Sequence, residues 1–177
     1  STGGVGLTDG DYFGAVEYTG TVGSFTEGQQ GYQMSDVDGI STLILDPVDA
    51  EIVQFDLYVQ QKLTNGVNAN WETSDSISVW YEGANSVVSI LNTTGTDIDT
   101  AHTGLLGTWT TFTVNLTGSG VGSLKFSLES NAATEAIYVD NVTFSGGTTL
   151  LADADDDDDG WTDVDEVDCG TDPLDPA

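Results

Sequence analysis

Residues 51–59 read EIVQFDLYV, and this stretch decides the fold class. Apolar side chains recur at every second position, and the polar residues Gln54 and Asp56 stand between them. Successive side chains of a β-strand point to opposite faces, so this alternation predicts a strand with one buried and one wet face. The predicted buried positions are Val53, Phe55, Leu57 and Val59.

Three later segments, 75–81 (DSISVWY), 110–116 (TTFTVNL) and 123–130 (SLKFSLES), alternate in the same way. Their predicted inward positions are Ile77, Val79, Tyr81, Phe112, Val114, Leu116, Leu124, Phe126 and Leu128. Short strands with turn residues between them, and no amphipathic helix before residue 160, are typical of two packed antiparallel sheets. We predict an all-β jelly-roll β-sandwich over residues 1–147. An Asp-rich calcium-binding repeat with a short helical turn is predicted over 148–177.

The charge balance restricts the partners. The chain of 177 residues carries 30 acidic residues, two lysines and a net charge of −28. Phosphate binding needs Lys or Arg, so this composition argues against nucleic acid. No apolar run approaches the roughly 20 residues that span a bilayer, so membrane insertion is not expected. The start at STGGVG is that of a mature or trimmed chain, and we expect an extracellular protein, secreted or on the cell surface.

The Asp-rich segment contains a metal-binding pattern. Asp155, Asp157 and Asp159 alternate before Gly160, and Glu166 follows six residues later, which gives D-x-D-x-D-G-x₅-E. Calcium prefers six to eight oxygen ligands, and glycine permits the sharp turn of such a loop. The remaining predicted ligands are the backbone carbonyl of Trp161 and the side chain of Asp163. The alternative is a solvated acidic tail, but that alternative would not require Gly160 and Glu166 at these positions.

Two resemblances extend these predictions. NWETSDSISVWYEG (70–83) and SNAATEAIYVDNVTF (130–144) resemble jelly-roll modules of secreted multi-domain bacterial proteins, which include many carbohydrate-binding modules. DGWTDVDEVDCGTDPLDP (159–176) resembles calcium repeats related to thrombospondin type 3. A cysteine at the position of Cys169 pairs with one in the next repeat in some relatives, and this chain has no second cysteine.

The jelly-roll resemblance also implies a second cation site. An aspartate in the last strand of such modules often helps to hold a structural calcium near the N-terminal strand. Asp140 stands at that position, and Asp11 and Asp38 are the predicted partners. The alternative is that these aspartates belong to turns, since Asp-Gly is a turn signal.

Signatures of catalysis are missing from the sequence. His102 is the single histidine, and neither a G-x-S-x-G elbow, a P-loop nor a dinucleotide fingerprint occurs. The sequence does not exclude a pair of carboxylates for glycoside hydrolysis, because an Asp and a Glu can meet across a sheet. Trp80, on the polar face of its strand, and Trp71, in an Asn-rich loop, are candidate platforms for a sugar ring; the alternative for each is packing.

We therefore predict a non-enzymatic, calcium-binding adhesion module that binds a polysaccharide or another cell-surface ligand within a larger protein. One alternative is a structural subunit or spacer that self-associates in a calcium-stabilised assembly. Another is an accessory domain of a secreted hydrolase.

Overall fold

A computed structural model describes residues 11–17, 22–37 and 39–147. The strands of this part are β1 (Tyr12–Val16), β2 (Gly31–Ser35), β3 (Gly39–Ile44), β4 (Ile52–Val59), β5 (Leu63–Thr64), β6 (Val67–Asn68), β7 (Ser76–Gly83), β8 (Val87–Asn92), β9 (Trp109–Asn115), β10 (Gly122–Ser130) and β11 (Ala136–Ser145). One helix, α1 (Ile98–Ala101), precedes a 3₁₀ turn at Thr103–Leu105.

The strands form two antiparallel sheets and a small hairpin. The five-stranded sheet has the order β1-β2-β11-β4-β9, the four-stranded sheet has the order β3-β10-β7-β8, and β5 pairs with β6. The chain changes sheet between β2 and β3, between β3 and β4, between β4 and β7 across the small hairpin, and at each connection from β8 to β11. This connectivity is that of a jelly-roll β-sandwich and confirms the predicted fold class.

The core lies between the inner faces of the two sheets. All of the predicted inward positions of β4, β7 and β10 are at most 1% exposed. Phe55 stacks on Phe112 of the neighbouring strand, with ring centroids 5.0 Å apart, and meets Phe126 of the opposite sheet edge-on at 5.0 Å. Each such buried side chain contributes about 1.5–3 kcal/mol to folding, so this trio joins the two sheets.

The short helix α1 lies before residue 160, where no amphipathic helix is predicted, and it consists of only four residues. Asp97 caps α1, because its carboxylate accepts a hydrogen bond from the backbone N–H of Thr100 at 3.2 Å. Ile98 is fully buried and fixes this turn to the core. A single helical turn is too short to produce a 3.6-residue periodicity, and for that reason the sequence pattern did not reveal it.

Several predictions lie outside the described residues. They are the calcium loop of Asp155, Asp157, Asp159, Trp161, Asp163 and Glu166, the pairing of Cys169, the helical turn of the repeat, and the contribution of Asp38. Within the described ranges, no helix has the length and apolar character required to cross a membrane.

Candidate functional site

The outer face of the four-stranded sheet carries a groove whose floor is made of small polar side chains. Thr42 pairs with Ser127, Ser127 with Ser78, and Ser78 with Asn92, so that one row of polar residues crosses all four strands. Thr42 and Ser127 are joined by a hydrogen bond of 3.2 Å between their hydroxyls. Because these side chains are short, the rows on either side stand higher than the floor.

Trp80 stands in one of these neighbouring rows. It lies opposite Lys125 on β10 and opposite Ser89 on β8. The β7–β8 ladder shifts its register between Val79 and Trp80, and such bulges re-aim the side chains beside them. Lys125 Nζ lies 6.0 Å from the centroid of the Trp80 ring and also pairs with the Glu82 carboxylate. The ring is therefore held on the outer face while remaining partly exposed.

The opposite row contains Ile40 and Glu129, which pair across β3 and β10. Ser76 Oγ donates to Glu129 Oε2 at 3.3 Å. Ile40 and, at the other edge of the sheet, Val87 are 71% and 63% exposed. The groove between these rows has a volume of about 440 Å³ and offers an aromatic face, hydroxyls, an amide and a carboxylate.

Trp71 does not share this face, which corrects its prediction as a platform. Its side chain is 3% exposed and packs in the core at one end of the sandwich. Its indole Nε1–H donates to the backbone carbonyl of Gln60 at 2.9 Å. Its backbone N–H donates to Asp99 Oδ2, also at 2.9 Å. Trp71 is therefore a structural residue, because no flat ring face is offered to solvent.

Asp140 has a hydrogen-bonding role that the sequence did not predict. Its Oδ2 accepts hydrogen bonds from Thr26 N at 2.7 Å, Thr26 Oγ1 at 3.0 Å and Glu27 N at 2.9 Å. Its Oδ1 accepts one from Asn141 N at 2.8 Å. These four hydrogen bonds fix the Asp140 carboxylate against the backbone of Thr26 and Glu27. The predicted calcium at Asp140 stays a prediction, because its partner Asp38 lies outside the described residues. Asp11 and Asp36 are also buried, but no group of three metal-ligating side chains that includes Asp140 is found among the described residues.

The segment held by Asp140 covers part of the outer face of the five-stranded sheet. Phe25 packs against Trp109, whose Nε1–H donates to the carbonyl of Ser24 at 2.9 Å. Trp109 in turn contacts Tyr58, with ring centroids 5.5 Å apart. The aromatic side chains on this face thus pack on one another and on the segment above them.

A cluster of carboxylates lies at one end of the sandwich. Glu72 and Asp75 precede β7, and Glu135 lies in the turn between β10 and β11. One oxygen from each residue lies within 4.8 Å of the others. Asp75 and Glu135 are 1% and 2% exposed, whereas Glu72 is exposed. The three oxygens can hold a hard cation, and sequence analysis did not identify them.

The electrostatics of the cluster reflect its burial. Burial raises the pKa of Asp75 to about 6, with further contributions from Glu72 and Glu129. Burial raises the pKa of Glu135 to about 7, and the neighbouring charges of Asp75 and Glu72 act in the same direction. Hydrogen bonds from backbone N–H groups oppose both shifts. Burial therefore disfavours the charged forms of both carboxyl groups.

No spacing motif marks this cluster in the sequence. Glu72 and Asp75 stand in ETSD, and Glu135 follows 60 residues after Asp75 in ATEA. Only the pairing of β7 with β10, and the turn that follows β10, bring them together. A pattern that depends on strand register over such a separation is not visible before the fold is known.

Comparison with known proteins finds no matching family model and no matching curated protein sequence. Among solved structures, similarity is found to the carbohydrate-binding module TmCBM61 in complex with β-1,4-galactotriose, with 12% identity, TM-score 0.43, and coverage of 72% of this chain and 77% of that one. The K2 cleaved adhesin domain of Lys-gingipain gives 17% identity, TM-score 0.44, and coverage of 78% and 85%. The family 11 carbohydrate-binding module of a cellulosomal cellulase of Clostridium thermocellum gives 12% identity, TM-score 0.39, and coverage of 81% of this chain and 86% of that one. At these distances the similarities do not assign a ligand.

Proposed function

We propose that this chain is a non-catalytic module of an extracellular protein and that it binds a polysaccharide in the groove on the four-stranded sheet. The observation that carries the proposal is the outward placement of Trp80 beside a floor of hydroxyl and amide side chains. A flat apolar ring supports the C–H face of a sugar, and the polar groups orient its hydroxyls.

The charges of the groove favour a neutral polysaccharide. Lys125, beside Trp80, already pairs with Glu82, and Glu129 adds a carboxylate on the opposite side. A glycan that carries carboxylates or sulfates would meet this negative surface on a chain of net charge −28. Uncharged hexose or pentose polymers meet no such repulsion. The proposal also retains calcium in the loop of Asp155 to Glu166, whose acidic pattern supports it.

The test is binding of the purified chain to neutral, polyanionic and polycationic polysaccharides, in calcium and in chelator. We expect binding to at least one neutral polymer, and Trp80→Ala should abolish it. Trp109→Ala, a substitution on the outer face of the other sheet, is the matched control and should retain binding. If no polymer binds, or if Trp109→Ala is the damaging change, the groove is not the site. Calcium-dependent self-association without any glycan binding would favour a structural subunit instead.

A further inference from the structure

The buried carboxylates of Asp75 and Glu135 are held in place by backbone donors of their own loops. Glu135 Oε2 accepts hydrogen bonds from Asn131 N at 2.8 Å and from Ala132 N at 2.9 Å. Asp75 Oδ2 accepts one from Glu72 N at 2.6 Å. Asp75 also forms a side-chain hydrogen bond with Glu72, which brings these two carboxyl groups together. Backbone donors therefore order the buried carboxylates of Asp75 and Glu135 before any ligand is considered.

The two loops that supply the carboxylates are also joined to each other. Asn70, in the segment before β7, donates through Nδ2 to the carbonyl of Thr134 at 2.6 Å. Thr134 directly precedes Glu135, and Asn70 lies two residues before Glu72. This hydrogen bond holds the backbones of the two loops close together, although both carry acidic groups that repel one another.

Within the part of the chain that the structure describes, the cluster has no basic partner. The ion pair found in the described ranges joins Lys125 to Glu82, on the outer face of the sheet. None of Glu72, Asp75 and Glu135 forms a salt bridge to a lysine or histidine in those ranges. Glu129, which hydrogen bonds to Ser76, adds a further negative charge near Asp75.

Ser130 provides a second and independent observation. Glu129 pairs with Ser76 at the end of the β7–β10 ladder. Continuing this register by one residue places Ser130 beside Asp75, on the inner side of the sheet, and both residues are buried. Ser130 is 2% exposed, and its hydroxyl has no hydrogen-bond partner in the structure. A buried hydroxyl without a partner is unusual, and this one is directed to the side of the sheet on which Asp75 lies.

We propose that Glu72, Asp75, Glu135 and the Ser130 hydroxyl form a calcium site that joins the loop before β7 to the turn after β10. All four donors are oxygens, which select a hard cation over zinc or copper. The three carboxylate oxygens lie within 4.8 Å of one another, so a single ion of calcium's size, with ligands at about 2.3–2.6 Å, can contact all of them. Backbone carbonyls and water would complete the coordination.

This site is separate from the calcium loop predicted at Asp155 to Glu166 and does not depend on what the groove binds. It is tested in the full chain carrying Glu166→Gln, which removes the predicted bidentate ligand of that loop. Calcium stoichiometry and affinity are measured by titration calorimetry after chelator treatment. We expect Asp75→Asn, added to this background, to bind one calcium ion fewer than Glu166→Gln alone. Equal stoichiometry in the two chains, or no calcium binding by Glu166→Gln alone, would overturn the proposal.

Two further variants distinguish loss of a calcium ligand from loss of the fold. Ser130→Ala keeps every charge of the cluster, and we expect it to weaken calcium binding about tenfold, as the loss of supporting groups at metal sites commonly does. Glu82→Gln removes an exposed carboxylate from the same domain and should leave stoichiometry and affinity unchanged. Far-ultraviolet circular dichroism monitors the fold of each chain. An unchanged affinity in Ser130→Ala would contradict the ligand role assigned to its hydroxyl.

Discussion

Lys125 and Trp80 lie opposite each other in the β7–β10 ladder, with the ammonium nitrogen 6.0 Å from the indole centroid. The same nitrogen pairs with Glu82, two residues after Trp80 on the same strand. One lysine therefore contacts both the aromatic platform and the carboxylate next to it on the outer face. This arrangement allows the contribution of charge to be separated from that of the ring.

We expect Lys125→Met to have small effects on both stability and binding. Methionine keeps an unbranched apolar stem beside the ring and removes the charge. Exposed ion pairs contribute about 0–1 kcal/mol, and an exposed cation–π contact contributes about 0.5–1 kcal/mol. The free energy of unfolding in urea should fall by less than about 1.5 kcal/mol, and affinity for a neutral polysaccharide by less than about tenfold.

The comparison variant is Trp80→Ala, which should lose glycan binding while the domain stays folded, because Trp80 lies outside the core. If Lys125→Met instead reduces affinity more than Trp80→Ala does, the groove recognises an anionic ligand through the ammonium group. Affinity electrophoresis with neutral and uronate-rich polymers measures both variants in one experiment.

Substitution of Trp71, unlike that of Trp80, should reduce the stability of the domain. Its ring is buried, so Trp71→Ala leaves a cavity and is expected to cost about 3–5 kcal/mol of unfolding free energy. Trp71→Phe retains much of the apolar volume but leaves the Gln60 carbonyl without its indole donor, which costs about 1–3 kcal/mol. Chemical denaturation measures both. If Trp71→Phe retains full stability and loses glycan binding, the assignment of Trp71 to the core is wrong.

The strands were predictable because their burial follows a period of two. Val53, Phe55 and Leu57 show this directly, since each is predicted inward and each is at most 1% exposed. The same reasoning placed Trp80 on the outer face. The prediction of Trp71 as a sugar platform was wrong because its Asn-rich surroundings suggested a solvent-facing loop. Instead, Asp99 accepts hydrogen bonds from the Asn70 and Trp71 backbone and draws that loop into the domain.

The remaining site contacts could not be predicted, because they join residues that are far apart in the sequence. Asp140 was expected to bind a metal on the basis of its position in the last strand. The segment that satisfies its carboxylate, Thr26 and Glu27, lies more than 110 residues earlier in the chain. Glu135 and Asp75 are also close in space although they are far apart in the sequence. Local periodicity contains no information about which loop folds over which carboxylate.

The anchoring role of Asp140 is testable by substitution. Asp140→Ala removes a carboxylate that accepts from four donors, three of which are backbone N–H groups. We expect a loss of about 2 kcal/mol or more in the free energy of unfolding, and faster proteolysis between residues 22 and 30. Asp140→Asn keeps one carbonyl oxygen and should cost less. The loss should be equal in calcium and in chelator. A loss that appears only in calcium would support the metal-ligand interpretation.

Asp56 gives the domain an acid-sensitive contribution to stability. Burial alone would raise its pKa, but hydrogen bonds from Thr111, Thr26 and Asn141 outweigh this effect and hold the pKa below its ordinary value. Thr111 Oγ1 donates to Asp56 Oδ1 at 2.5 Å, and Asn141 Nδ2 donates to Oδ2 at 3.1 Å. Because the folded-state pKa is lower than the unfolded one, the stabilisation is complete above the ordinary pKa. It is lost as the pH falls through the folded value.

Thr111→Val isolates this effect, because valine is similar in shape to threonine and lacks its hydroxyl. At pH 6 we expect the variant to be less stable than the parent chain by about 1–3 kcal/mol, the range for a hydrogen bond to a charged group. The difference should shrink as the pH falls below about 4, where protonation of Asp56 weakens the bond in the parent chain. Urea unfolding between pH 6 and pH 2.5 measures the difference directly. A difference that stays constant over this range would show that Thr111 stabilises the sheet by packing and does not act through the charge of Asp56.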